Sequence, residues 1–220
     1  MQLYIVRHGE TEWNQQYRYY GKSDILLNDK GKEQANHVGE LLKDIVFDTV
    51  YVSTLKRAIQ TKELIVGKQA KTATMIHTEY LKEQDLGIFE GYTYKELEHL
   101  FPKELKQWNE NFKGAPHGGE SFYDVYERVS QFCTNQLEIN RTKPSQVVGE
   151  KNNTMLWEVS KKKEKENVLI ISHMGIIRCL LVILLGMQED AIWNFTLEQG
   201  AYTRIDIEDG YAIIKKINQS

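Results

Sequence analysis

The sequence predicts an α/β fold of three layers, α/β/α, with a mostly parallel central sheet, helices on both faces and an antiparallel strand pair at the C-terminus. Three observations predict it. Short runs that are apolar on both faces recur at Leu3–Val6, Thr49–Val52 and Val168–Ile171, as expected of central strands covered on both sides. Each is followed by a segment with apolar residues at helical spacing, and strands alternating with helices build parallel sheets. Near the end the period changes: Thr203–Ile207 and Tyr211–Ile217 alternate about Asp209-Gly210, a good hairpin turn.

The elements follow in order. After the first strand comes "NDKGKEQANHVGELLKDI", whose Ala35, Val38, Leu41, Leu42 and Ile45 fall on one helical face, with Asn28 placed to cap it. "TLKRAIQTKELI" follows the second strand and "GIIRCLLVILLG" the third. Residues 92–139 read as helical around the loop "KGAPHGGES" and carry Trp108 and Phe112, which suits a lid over the sheet's C-terminal edge. Residues 141–166 begin as a polar loop and end in mixed charge, a solvated helix face. No internal repeat or domain boundary is visible, so residues 1–220 read as one domain.

Composition narrows the function. The chain has 220 residues, 41% hydrophobic and 27% charged, ordinary for a soluble enzyme. A net charge of −3 argues against general nucleic-acid binding. Cys133 and Cys179 form no disulfide framework and no metal spacing, which fits a reducing cytoplasm. No signal-peptide pattern is seen at the start. The apolar run from Cys179 is too short to span a bilayer, so no membrane partner is expected.

Ligands of open α/β sheets bind beyond the carboxyl ends of the strands, and four sets of polar residues fall there or within reach. Arg7-His8-Gly9 leaves the first strand, with a glycine that lets a ligand approach the backbone. Arg57 lies in the first helical turn if Ser53 or Thr54 caps that helix, where a cation opposes the helix dipole unless an anion is near. His173 stands between the third strand and its helix, whose N-terminus favours anions. Glu83 lies in "LKEQDLGIFEG", where partial burial would raise its carboxyl pKa as a general acid requires; Glu90 competes with it. No metal-ligand spacing and no nucleotide-binding glycine loop is present, so neither metal nor cofactor is expected. Cations around a candidate nucleophile suit phosphoryl transfer.

With these residues in place, the sequence resembles the histidine phosphatase superfamily, the phosphoglycerate mutase-like family. "RHGETEWN", "LLNDKGKEQA", "STLKRAIQT", "LKEQDLGIFEG", "HGGESFYDVYERV" and "VLIISHMGIIR" match its motifs in order over nearly the whole chain. The resemblance implies that His8 is the nucleophile and becomes phosphorylated. It implies that Arg7, Arg57 and a protonated His173 surround the phosphoryl group, and that Glu83 is the proton donor. Asn14 matches an additional phosphate-pocket asparagine, and Gly21 joins the expected phosphate-binding set. The implied partner is a small-molecule phosphate ester, and oligomeric state stays open, a homodimer included.

Between Gly91 and Gly118 the sequence has Lys95, Lys103, Lys106 and Lys113 but no arginine, unlike the mutase branch, so a phosphatase is favoured over a phosphoglycerate mutase. A catalytically silent phospholigand-binding module is the rival from another class. The C-terminal "AIWNFTLEQGAYTRIDIEDGYAIIKKIN" resembles α-ribazole phosphatases, with broad-specificity phosphatases close behind. Two departures stand out: residues 141–166 look like an insertion that could shape the entrance or an oligomer contact, and Met174 replaces a small residue. Tyr19, Tyr20, Trp108, Phe112 and His117 are the candidates for reading the rest of the ligand.

Overall fold

The computed structural model describes residues 1–142 and 156–220. Among them are the strands β1 (Gln2–Arg7), β2 (Thr49–Ser53), β3 (Thr74–Thr78), β4 (Ile139–Thr142), β5 (Leu156–Val159), β6 (Asn167–Ser172), β7 (Tyr202–Glu208) and β8 (Tyr211–Gln219). The helices are α1 (Glu12–Gln15), α2 (Asp29–Leu42), α3 (Lys56–Val66), α4 (Tyr94–Leu100), α5 (Pro102–Glu110), α6 (Phe122–Asn135) and α7 (Met174–Leu184). The main sheet runs β3-β2-β6-β1-β7-β8. Its first four strands are parallel, and β7 and β8 add antiparallel to β1. This is the predicted architecture.

Both faces of the central strands are buried, which is why those strands read as unbroken apolar runs. Leu3, Ile5, Tyr51, Val168 and Ile170 pack with α6 and α7; Tyr4, Val6, Val50, Val52, Leu169 and Ile171 pack with α2 and α3. Each fully buried aliphatic side chain contributes about 1.5–3 kcal/mol. Asn28 caps α2 as predicted, its Oδ1 accepting from the Gly31 amide at 2.8 Å. The β7–β8 turn uses Asp209 (φ 49°) and Gly210 (φ 82°), both left-handed, as a two-residue turn matched to strand twist requires.

The structure corrects three sequence readings. Strand β3 was missed because it is an edge strand, largely exposed, with no apolar run to announce it. Only α4 and α5 form a separate layer, around Phe89, Leu97 and Leu105; α6 buries Val125, Val129 and Phe132 in the main core and is a sheet-covering helix, not part of a lid. Of the segment 141–166, residues 143–155 lie outside the described residues. Its described ends form the small antiparallel β4–β5 sheet and the turn to β6, where the Gln2 amide donates to the Glu166 carbonyl at 2.8 Å. Glu166 thus sits at the amino end of β1 and β6, the end of the sheet opposite His8 and His173.

Candidate active site

The parallel strands β1, β6 and β2 are neighbours, so their carboxyl ends stop at one edge and present Arg7-His8, Ser172-His173 and Ser53 together. The His8 amide continues the ladder by donating to the Ser172 carbonyl at 3.0 Å. The His8 and His173 rings stand 5.1 Å apart between centroids. Sequence separation of 165 residues is erased by strand pairing.

His8 is 3% exposed. Its Nδ1 is 2.7 Å from the Gly9 carbonyl. A carbonyl only accepts, so Nδ1 carries the proton, and in the neutral ring Nε2 keeps its lone pair. That nitrogen has no protein partner among the described residues. Burial, with the Arg57 and Arg7 charges, holds the imidazole pKa well below its ordinary value of 6.5. His8 is therefore a neutral imidazole with a fixed tautomer and a free basic nitrogen.

Arg57 is 0% exposed. It occupies the second position of α3, whose cap is Leu55 rather than Ser53 or Thr54, with no side-chain cap. Its guanidinium donates to the Gly21 carbonyl (2.7 Å), the Ser23 carbonyl (2.7 Å) and His173 Nδ1 (3.2 Å), and lies 4.6 Å from the centre of the Tyr20 ring. Arg7 donates to the Leu197 carbonyl at 2.5 Å, and its Nε is buried without an acceptor. Neither arginine has a carboxylate partner among the described residues. Two cations withdrawn from water with no carboxylate in direct contact, only the more distant charge of Glu83, are expensive unless an anion visits them.

His173 differs from the expectation of a cation. Arg57 Nε–H donates to its Nδ1, so the proton sits on Nε2, which lies 2.7 Å from Ser53 Oγ. Burial, with Arg57, His8 and Arg7 nearby, holds its pKa well below 6.5. The ring is neutral because a guanidinium already fills the place a second proton would take. Gly21 is likewise displaced from its expected part: it contributes its carbonyl to Arg57 and is absent from the cavity wall.

Glu83 sits on a loop pinned from two sides. Ser172 Oγ donates to the Leu81 carbonyl at 2.7 Å, and Arg128 Nη1 donates to the Tyr80 and Lys82 carbonyls at 3.0 and 2.7 Å. The carboxylate accepts from the Gln84 amide (3.0 Å) and from the Gly175 amide (3.2 Å) in the first turn of α7. A Cβ on residue 175 would stand 2.6 Å from Glu83 Oε1, so glycine is what lets the carboxylate approach. Glu90, the competing carboxylate, is spent elsewhere: it accepts from the Lys22, Ser23 and Leu86 amides and the Ser23 hydroxyl.

Arg7, His8, Asn14, Arg57 and Glu83 line one cavity of about 680 Å³. Asn14 Oδ1 accepts from Thr11 and from Tyr20 at 2.6 Å, so its NH₂ group is what it can offer a ligand. Tyr19, Tyr20, Trp108, Phe112 and Met174 are also in the wall; His117 is not, and is exposed. The sequence reading missed Arg18 and Arg178, which line the cavity too. Arg178 lies in the run "GIIRCLLVILLG", which reads as a core helix, and only its spacing from His173 hinted at the site. Cys179 is in the wall as well, but burial pushes its thiol up to about 12. Together these groups can accept an anion, offer it a neutral nitrogen nucleophile and exchange a proton within the same cavity.

Comparison with known proteins gives the family and the fold. The sequence profile of the histidine phosphatase superfamily (branch 1) matches residues 3–220. Phosphoserine phosphatase 1 of Hydrogenobacter thermophilus is 30% identical over 219 residues, 99% of this chain and 92% of that protein. The adenosylcobalamin/α-ribazole phosphatase of Salmonella typhimurium is 30% identical over 219 residues, 99% of this chain and 96% of that one. The solved structure of the α-ribazole phosphatase from Shigella flexneri is similar with a TM-score of 0.84 at 27% identity, over 100% of this chain and 96% of that one. With its paired strand-end histidines, its unpaired arginines and a profile match over nearly its whole length, the chain belongs to the histidine phosphatase superfamily, branch 1.

Proposed function

We propose that this phosphatase hydrolyses small-molecule phosphate monoesters through a phosphohistidine on His8. The observation that carries the reading is a neutral imidazole, its Nδ1 committed to Gly9, beside the buried Arg57 and the partly buried Arg7, neither within ion-pair distance of a carboxylate among the described residues. His8 Nε2 attacks phosphorus in line; the N–P bond forms as the ester P–O bond breaks. Arg7 and Arg57 hold the non-bridging oxygens, and the Asn14 NH₂ adds a donor. Glu83 gives a proton to the leaving alkoxide, then takes one from the water that attacks the phosphohistidine, releasing phosphate and restoring His8. Neutral His173 acts here through Arg57, whose Nε it anchors.

For the substrate, similarity to α-ribazole phosphatases over nearly full length and an aromatic-rich cavity wall support α-ribazole 5′-phosphate or a broad range of small esters. The cytoplasm is the compartment that suits the sequence. The test is a kinetic screen of phosphomonoesters with wild type and His8→Ala. Wild type should turn over and carry acid-labile phosphate, unaffected by EDTA; the variant should do neither. Full activity of His8→Ala would remove this mechanism. Sustained isomerisation of phosphoglycerate with added bisphosphoglycerate, well above hydrolysis, would instead make the protein a mutase, and ligand binding without turnover would make it a binding module.

A further inference from the structure

The cavity holds a third arginine that the proposed chemistry does not use. Arg178 is half-buried on α7, and its Nε donates to the Phe195 carbonyl at 2.8 Å. Its guanidinium lies 5.4 Å from the centre of the Trp193 ring. Those two contacts fix the plane of the group and leave Nη1 and Nη2 without an acceptor among the described residues. Other cations near the cavity are neutralised: Arg18 pairs with Glu96 at 3.0 Å, and Lys113 with Glu189 at 2.9 Å. A half-desolvated guanidinium with a fixed plane and two free N–H edges is built to take a planar anion, and carboxylate matches that fork.

Its place in the fold says which part of a substrate it would meet. Gly175, three residues earlier on α7, donates to Glu83. Side chains three apart on a helix are neighbours, about 5–6 Å between Cβ atoms. With phosphorus at His8 and the ester oxygen at Glu83, Arg178 stands about one helical turn beyond Gly175 on the wall of the same cavity, on the side that the alcohol half of the substrate would fill. The electrostatics agree: Glu83 is the principal charge opposing the loss of basicity that burial imposes on Arg178.

We infer that Arg178 is a specificity-determining residue that binds a carboxylate on the alcohol half of the substrate, so that phosphate monoesters of short hydroxy acids are preferred over otherwise similar esters without that group. This rests on the reading that the His8 end of the cavity takes the phosphoryl group. It adds a selection rule to that reading: the aromatic wall accommodates many alcohols, and Arg178 ranks them by charge.

The experiment compares matched pairs, 3-phosphoglycerate with glycerol 3-phosphate and O-phosphoserine with O-phosphoethanolamine, in wild type, Arg178→Gln and Arg178→Lys. Wild type should favour the carboxylated member by about tenfold or more in kcat/KM. Arg178→Gln should lose most of that preference through KM, while glycerol 3-phosphate hydrolysis stays within about threefold; Arg178→Lys should recover part of it. Equal loss on both members of a pair would make Arg178 a phosphoryl contact or a packing residue, and would overturn the inference. So would a wild type with no carboxylate preference, a result that needs no variant to fold. Failure of the phosphatase reading looks different: no ester of either kind would be hydrolysed, or His8→Ala would remain active.

Discussion

Ser53 Oγ lies 2.7 Å from His173 Nε2, and both side chains are fully buried. The contact completes a chain in which Arg57 Nε–H donates to His173 Nδ1 and His173 Nε2–H donates to Ser53. Arg57, which can only donate, thus fixes which tautomer His173 adopts, Ser53 accepts the proton this leaves on Nε2, and the held ring in turn orients Arg57. Ser53→Ala leaves a buried N–H without an acceptor, at a cost of about 1–3 kcal/mol. The expected outcome is a kcat lowered roughly tenfold or more, with Ser53→Thr, which keeps the hydroxyl, recovering part of it. Unchanged kinetics in Ser53→Ala would show that Arg57 is held well enough by Gly21 and Ser23 alone.

Gly175→Ala separates function from stability. The new methyl would stand 2.6 Å from Glu83 Oε1, and the atom it meets is the tip of a flexible side chain that can swing away. Alanine is the better helix former by about 1 kcal/mol in a helix interior. The variant should therefore unfold at the same temperature as wild type or slightly higher, while kcat falls about tenfold or more because the carboxylate has moved. Wild-type kcat in this variant would mean that Glu83 is not the proton donor.

What was legible in the sequence follows from where each group sits. His8 and His173 could be found because each ends a strand that is apolar on both faces, and such strands announce their ends. Arg57 was visible because a cation in a first helical turn invites an explanation. The neutrality of His173 was not visible, since it depends on Arg57 Nε reaching its Nδ1 from another strand–helix unit. Ser53 was read as a helix cap for the same reason: nothing local says that its hydroxyl faces His173. Strand β3 escaped because an exposed edge strand need not be apolar. Arg178 escaped because seven aliphatic neighbours on α7 make it look like an interruption of a core helix.

The two histidines set how stability depends on pH. Both imidazoles have pKa values held well below 6.5 in the folded protein, chiefly by burial. The unfolded chain regains the ordinary value, so below about pH 6.5 it binds protons that the folded protein refuses. Stability from these groups is full above that pH and is lost progressively as pH falls. Urea unfolding between pH 7.5 and 5 should show a declining midpoint, and His173→Asn should flatten part of the decline. The same shift predicts that the attacking nitrogen stays unprotonated at pH 6, so the acid limb of kcat/KM should begin below 6.5. A limb centred at 6.5 or higher would contradict the neutral imidazole.

Glu90 offers a test of how Arg57 is positioned. Its carboxylate accepts from the amides of Lys22, Ser23 and Leu86, at 2.9, 2.8 and 3.1 Å, and so fastens the 21–23 loop to the loop that carries Glu83. The carbonyls of Gly21 and Ser23 on that loop are the ones that grip Arg57. Glu90→Ala removes one acceptor that serves several donors, a loss of about 1–3 kcal/mol for groups left unsatisfied. Since the reacting groups themselves are untouched, the damage should fall on phosphate binding. KM and the inhibition constant for inorganic phosphate should both rise, roughly tenfold, with a smaller change in kcat. If kcat collapses while phosphate inhibition is unchanged, Glu90 takes part in proton transfer and the division of labour between it and Glu83 is wrong.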